Sequence, residues 1–393
     1  MLRRLRSADV LAATAAIWFL AKFLRYAFPP LFPVLSARYG VTTATLGLAY
    51  TGMMLVYALL QFPSGALADR VGAARVIAVG AAVAALAACT LGVATPLVAL
   101  VAAMACIGAG TGVHKTVSVR LLSNVYTERT GRALGVLDTI GAFGGVAAPA
   151  VVAALLATRG LTWHALFVGG GVVGLALAAV SYPRMHAKAP DPSATGARDG
   201  GGSLRRYAAL FREPAFAAFV LVTIGYSFAY SGVVAFLPTF LGTAGLDPVT
   251  ASAIYSVLFV VSPVQAVTGD LADRVGTLRV VTGTLALGSV GLLAVTFAGL
   301  PTLGLAVAVG VFGLGCHGCR PVRGAYLMET VPDDVSGGGL GVVRTVLMVA
   351  GALAPGVVGV LSGVAGYTVA FGLLCVALCA AAVGAFGLLL LRK

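Results

Sequence analysis

Twelve runs of apolar residues, each roughly 20 to 27 long, take up most of this chain and leave little freedom in how it can fold. They fall at about 9–33, 42–68, 74–94, 97–124, 132–157 and 163–183, and again at about 214–241, 248–272, 277–299, 302–328, 338–364 and 367–391. A run of that length crosses a hydrocarbon core of ~30 Å as a tilted helix. In hydrocarbon the backbone must satisfy its own hydrogen bonds, so each run is expected to be a transmembrane helix. Only 10% of the residues are charged, against about 25% in a soluble domain, and the mean hydropathy is +1.01. The expected fold class is therefore all-α integral membrane. Fifty-two glycines suit helices that pack backbone to backbone.

The two sets of six runs flank PRMHAKAPDPSATGARDGGGSLRRYAALFRE, the long polar stretch rich in Gly, Pro and Ser. It reads as a connector. The expected division is a six-helix bundle over 1–183, a linker over 184–212 and a second six-helix bundle over 213–393. The start, MLRRLRSADV followed by apolar sequence, resembles a signal peptide at first sight. Its apolar part is too long and no small-residue cleavage site precedes the next run, so it is expected to be a retained first span.

Lysine and arginine set the orientation. With the N-terminus inside, seventeen fall on the cytoplasmic side, whereas the outer loops hold Arg38 and Arg159. Both termini are thus expected in the cytoplasm and the chain in the cell membrane. Much of the net charge of +13 is a topology signal, and nothing calls for nucleic acid. The six cysteines, at 89, 106, 316, 319, 375 and 379, all lie in apolar segments. Cys316-His317-Gly318-Cys319 offers three soft ligands on one helical turn, short of a closed tetrahedral site, so no metal is expected. No phosphate-binding loop, cofactor fingerprint or catalytic triad is evident, which argues against an enzyme, a cofactor or ATP coupling.

GALADRVGAAR at Gly65–Arg75 returns as GDLADRVGTLR at Gly269–Arg279, five pattern positions at identical offsets 204 residues apart. The chain is a duplication, and its bundles should be related by pseudo-two-fold symmetry. The repeated Gly-x3-Asp-Arg-x-Gly-x2-Arg loop resembles the signature of major facilitator superfamily transporters, where it lies on the cytoplasmic side between helices 2 and 3 and again between 8 and 9. The resemblance implies a twelve-helix alternating-access transporter. It implies that Asp69 docks near the start of helix 11 and Asp273 near the start of helix 5, latching the cytoplasmic side. Arg70 and Arg75 could then reach Glu128 in YTERTGRALG, and Arg274 and Arg279 are their repeats.

Seven basic residues lie within the expected spans: Lys22, Arg25, Lys115, Arg120, Arg320, Arg323 and Arg344. The one clear intramembrane acid is Asp138. A charge at mid-depth costs ~2.5–3.5 kcal/mol even on a lenient scale, so these residues should face water or each other. In the fold that the resemblance implies, helices 1, 4, 7 and 10 line the central cavity, and six of the seven sit on helices 1, 4 and 10. Lys22, His114, Lys115 and His317 fall near mid-depth, with Arg25 and Arg320 within about one turn of it. A cavity so positive suits an anion, and Arg offers a planar fork for carboxylate or phosphate. Tyr226 and Tyr230, one turn apart on helix 7, could bond an anion's oxygens or simply pack. Lys115 should point about 100° away from its neighbour His114.

Aligning LGVLDTIGAFGGVAAP with LGVVRTVLMVAGALAP sets Asp138 against Arg344 in the two repeats, 206 residues apart. An ion pair between them would make an inner gate. Pairing of Asp138 with Arg120 inside its own half is the competing arrangement.

The expected function is secondary active transport of a small anion (an organic carboxylate, a phosphate ester or an inorganic anion) by symport or exchange. The protein is expected to act as a monomer in the lipid bilayer, with protons or a counter-anion as the coupling species. Protons could ride on His114, His317, Asp138 or Glu329. The alternative is a proton-coupled multidrug or amphiphile efflux antiporter. Its helix 5 hallmark, Gly-x8-Gly-x3-Gly-Pro-x2-Gly-Gly, is matched at Gly135, Gly144 and Pro149 but broken at Ala148, Val152 and Ala153. A transport-dead sensor on the same fold has no appended soluble domain to support it.

Overall fold

The computed structural model describes residues 2–93, 96–127, 129–158, 162–187, 212–330 and 336–391, with the side chains of 2–8, 62, 328–330 and 336–344 left aside. These residues form helices joined by short turns. The first half contains α1 (Leu2–Tyr26), α2 (Phe28–Tyr39), α3 (Thr43–Val71), α4 (Ala73–Thr90), α5 (Leu97–Val125), α6 (Thr130–Ala157) and α7 (Trp163–His186). The second contains α8 (Pro214–Thr243), α9 (Pro248–Val260), α10 (Val264–Val275), α11 (Thr277–Phe297), α12 (Thr302–Thr330), α13 (Ser336–Ala365) and α14 (Tyr367–Leu391). Among them are twelve spans long and apolar enough to cross a membrane.

Prolines explain why twelve spans need fourteen described helices. Pro29 and Pro30 lack the N–H that would continue α1, so the first span restarts as α2 and reaches Tyr39, six residues beyond the apolar run. Gly40, at φ +63°, accepts the left-handed turn that ends it. Pro263 likewise divides the eighth span into α9 and α10. Asp247 caps α9 by accepting from the N–H groups of Val249 and Thr250 at 2.9 and 3.1 Å, with Pro248 in the first helical position. The Thr250 side chain and these backbone groups hold its carboxyl below the usual aspartate range.

The chain divides into two compact units, Met1–Val41 with Ala49–Arg198, and Thr42–Leu48 with Asp199–Lys393. In the first, α1 packs on α6, and α4 on α5 and α7. In the second, α8 packs on α13, and α11 on α12 and α14. The partner sets are the same in repeat order, so the duplication seen in the loops extends to the packing. The loops repeat in backbone detail as well: Gly72 stands at φ 90°, ψ 140° and Gly276 at φ 95°, ψ 139°, a region costly for any residue with a Cβ.

Glycines on α5 and α12 hold the bundles together at close range. A Cβ on Gly108 would strike the Met53 carbonyl of α3, and one on Gly110 the Gly80 carbonyl of α4. On α12, Gly313 meets the backbone of Leu258 and Gly315 that of Gly288. Large apolar side chains such as Val98, Leu221 and Val364 stay exposed on these bundles, a pattern that acyl chains accommodate and water does not.

Candidate functional site: a cationic and aromatic cluster in each half

In the first half the cluster is built from α1, α3 and α5. Trp18, Lys22 and Arg25 recur at helical spacing and so share one stripe of α1. The Lys22 ammonium lies 5.3 Å from the centre of the Trp18 ring and the Arg25 guanidinium 5.5 Å from it. From α5 the Lys115 ammonium comes within 5.6 Å of the same ring, and His114 stacks on it at 5.7 Å. Arg25 also sits over the face of Tyr57 on α3, at 3.9 Å. Gly112 of α5 permits this arrangement by passing close to the Tyr57 backbone, where a Cβ would stand 2.6 Å from the carbonyl oxygen.

Arg25 is 2% exposed. Its Nε donates to the Ala21 carbonyl at 3.1 Å, and no carboxylate pairs with it among the described residues. Cation–π contacts partly compensate such a charge, typically by about 0.5–2 kcal/mol, and leave the donors along the guanidinium edge open. His114 is equally buried. Its Nε2 donates to the Thr14 carbonyl at 2.9 Å and lies 3.1 Å from the Ser118 hydroxyl, so this ring has a structural attachment.

The second half repeats the theme with other residues. Tyr226 and Tyr230 of α8 stack at 6.1 Å, with the Arg323 guanidinium 4.8 Å from the first ring and that of Arg320 4.5 Å from the second. Arg323 also donates to the Ser227 hydroxyl at 3.2 Å. The Tyr226 hydroxyl donates to the Cys316 carbonyl at 2.8 Å, and His317 meets the Tyr230 ring edge-on at 5.8 Å. The matched glycine contacts of α5 and α12 give a register of 205 residues, in which Lys115 and Arg320 are equivalent.

The ion pairs differ from those read off the sequence. Asp138 pairs with Lys115 of α5, rather than with Arg120, and Arg120 pairs with Asp69. The reason is rotational: five residues turn an α-helix by about 140°, so Lys115 reaches α6 while Arg120 reaches the end of α3. Lys115 was expected to turn away from His114, yet its four-carbon stem brings its ammonium back to Trp18. Asp69 is thus held within its own half, and Asp273 has no ion-pair partner among the described residues. Arg70, Arg75 and Arg274 are exposed, and Arg279 donates to the Val275 carbonyl at 2.8 Å. Glu128 and the side chains of Glu329 and Arg344 lie outside the described residues.

Trp18 and Tyr57 were missed in the sequence. Their signal was there, since Trp18 stands four and seven residues before two intramembrane cations. An aromatic at helical spacing in an apolar run is ordinarily core, and Tyr57 is placed only by the fold.

The family profile described as Major Facilitator Superfamily matches residues 14–303 and 256–393. The chain is 29% identical to a probable 4-methylmuconolactone transporter of Cupriavidus pinatubonensis, over 96% of this chain and 88% of that protein. It is 26% identical to a probable sulfoacetate transporter of Cupriavidus necator, over 70% and 68% respectively. Among solved structures, a bacterial homolog of the human lysosomal transporter Spinster superposes with a TM-score of 0.81 at 15% identity, covering 98% of this chain and 97% of that one. The nucleoside transporter NupG gives 0.72 at 17% identity, covering 98% and 99%. At such identities the structures speak for the fold alone. The profile match spans the chain, so the protein belongs to the major facilitator superfamily and is a multi-pass membrane transporter of a small molecule, not an enzyme.

Proposed function

We propose that this transporter moves a small organic anion across the cytoplasmic membrane by alternating access, with both termini in the cytoplasm. The observation that carries the reading is Arg25, a guanidinium almost wholly buried, held on an aromatic face and lacking a described carboxylate. A buried cation left in that state is costly, and a substrate carboxylate, sulfonate or phosphate supplies the missing charge. In the second half, Arg320 on the face of Tyr230 offers an anion the same kind of contact. Lys22, His114, Tyr226, Tyr230 and His317 complete the two sets of substrate contacts. The names of the two relatives point the same way, since sulfoacetate is a small organic anion.

Exporters of cationic amphiphiles would be expected to carry cavity acids, and Asp138, the carboxylate of the first cluster, is already taken by Lys115. The partial glycine pattern of α6 has a packing role as well. Gly144 lies against the backbone of Phe19 on α1, where a Cβ would collide.

The test is uptake into proteoliposomes of a labelled panel of small carboxylates, sulfonates and phosphate esters, run beside a cationic dye. Saturable uptake of at least one anion, with no movement of the dye, is the expected result. Dye efflux driven by a proton gradient, with no anion transported, would refute it.

A further inference from the structure

We propose that the Tyr50 hydroxyl is a specificity-determining group of the first cluster: it donates to a second oxygen of an anion whose acid group Arg25 holds, so that oxo acids are preferred over plain acids. This rests on the anion reading above and narrows its substrate class.

The hydroxyl is a buried donor with nothing to bond. Tyr50 of α3 is 2% exposed, and its oxygen has no hydrogen-bond partner among the described residues. Leaving such a group unsatisfied normally costs more than a made hydrogen bond contributes, so an orphaned phenol calls for a reason.

Its place supplies one. Seven residues turn an α-helix almost two full times, so Tyr50 and Tyr57 share one face of α3, about 10 Å apart along the axis. Tyr57 carries the Arg25 guanidinium on its ring, and seven residues beyond Arg25 the Phe32 ring meets Tyr50 edge-on at 5.9 Å. The stripe of α3 therefore runs along the first span from the buried cation to Phe32. The Tyr50 phenol stands within electrostatic reach of the Arg25 guanidinium and of Tyr26, whose own ring lies 6.0 Å from that guanidinium.

Neighbouring polar groups are engaged or covered. The Thr14 and Thr111 hydroxyls donate to the carbonyls of Val10 and Ile107 at 2.8 and 2.7 Å, and the Ser118 hydroxyl lies 3.1 Å from His114 Nε2. The Trp18 indole N–H also lacks a partner among the described residues, but α6 closes its edge: a Cβ on Gly141 would stand 2.4 Å from that nitrogen. Tyr50 is left as an orphaned donor that a ligand on Arg25 can satisfy. Being neutral, it discriminates by acceptor and not by charge. A keto or lactone oxygen accepts from it, whereas the methylene of a plain acid at the same place leaves it unsatisfied.

Purified full-length protein is titrated by calorimetry with two pairs of acids that differ by one carbonyl oxygen: pyruvate against propionate, and levulinate against pentanoate. At least one oxo acid is expected to bind about tenfold tighter than its parent acid, the step for one hydrogen bond gained at a buried donor. In Tyr50→Phe that ratio is expected to fall to near one. The substrate-free variant should melt no lower than the wild type, because the hydroxyl it loses bonds nothing at rest. A ratio that survives Tyr50→Phe, a wild type that prefers neither oxo acid, or a variant that melts well below the wild type would each overturn the role of Tyr50 and leave the anion reading standing. If no anion binds the wild type, neither these four nor any of the uptake panel, the anion reading itself falls, and this proposal with it.

Discussion

Replacing Arg25 by alanine is expected to weaken anion binding by about 1.5–3 kcal/mol, roughly 10- to 150-fold, the scale of a lost hydrogen bond to a charged group. The size follows from burial. At 2% exposure the guanidinium acts where water screens it poorly, and the contact with Tyr57 at 3.9 Å fixes its plane before the substrate arrives. Lysine should not substitute, because it keeps the charge but loses both the fork and the stacking. Arg320→Ala is expected to cost a similar amount, since Arg320 stands on Tyr230 as Arg25 stands on Tyr57. Calorimetric titration of the purified variants with a transported anion measures these losses directly. Unchanged affinity in both variants would show that neither arginine contributes to anion binding.

A second large effect is expected from the glycines that let helices touch. Gly110→Val and Gly315→Val place branched side chains where backbone atoms of α4 and α11 already lie, and those atoms cannot move aside as a side-chain tip could. Overpacking a well-filled interior costs typically about 1–3 kcal/mol, and more when backbone must shift. Each variant should therefore lose most of its monodisperse protein in detergent, whereas Gly283→Val, exposed and with nothing within 4 Å of the new Cβ, should behave as the parent. Size-exclusion profiles of the three variants decide it, and equal recovery would contradict the close packing.

The contrast between what is legible in the chain and what is not runs along particular residues. Apolar length announces the spans, and the twin loop announces the repeat, down to the matching backbone of Gly72 and Gly276. Lys22, Arg25, His114, Arg320 and His317 could be nominated because charge or imidazole inside an apolar run is conspicuous. Their neighbours could not. Which way α5 is rotated against α6 decides that Lys115, and not Arg120, meets Asp138, and five residues of spacing say only that the two point apart. Tyr57 becomes a platform for Arg25 because Gly112 lets α3 approach α5, a fact of packing with no local signature. Proline breaks were readable in principle, yet hydropathy continues across Ala27 and Val261 and hides them.

The most direct test of anion transport is to compare a transported carboxylate with its uncharged amide in proteoliposomes of the wild-type protein. The two have nearly the same shape and differ in the one charge that Arg25 and Arg320 are proposed to meet. The acid should be taken up saturably and should exchange with internal unlabelled acid, while the amide is neither carried nor able to compete. Equal transport of acid and amide would contradict anion recognition by Arg25 in the first half and by Arg320 in the second.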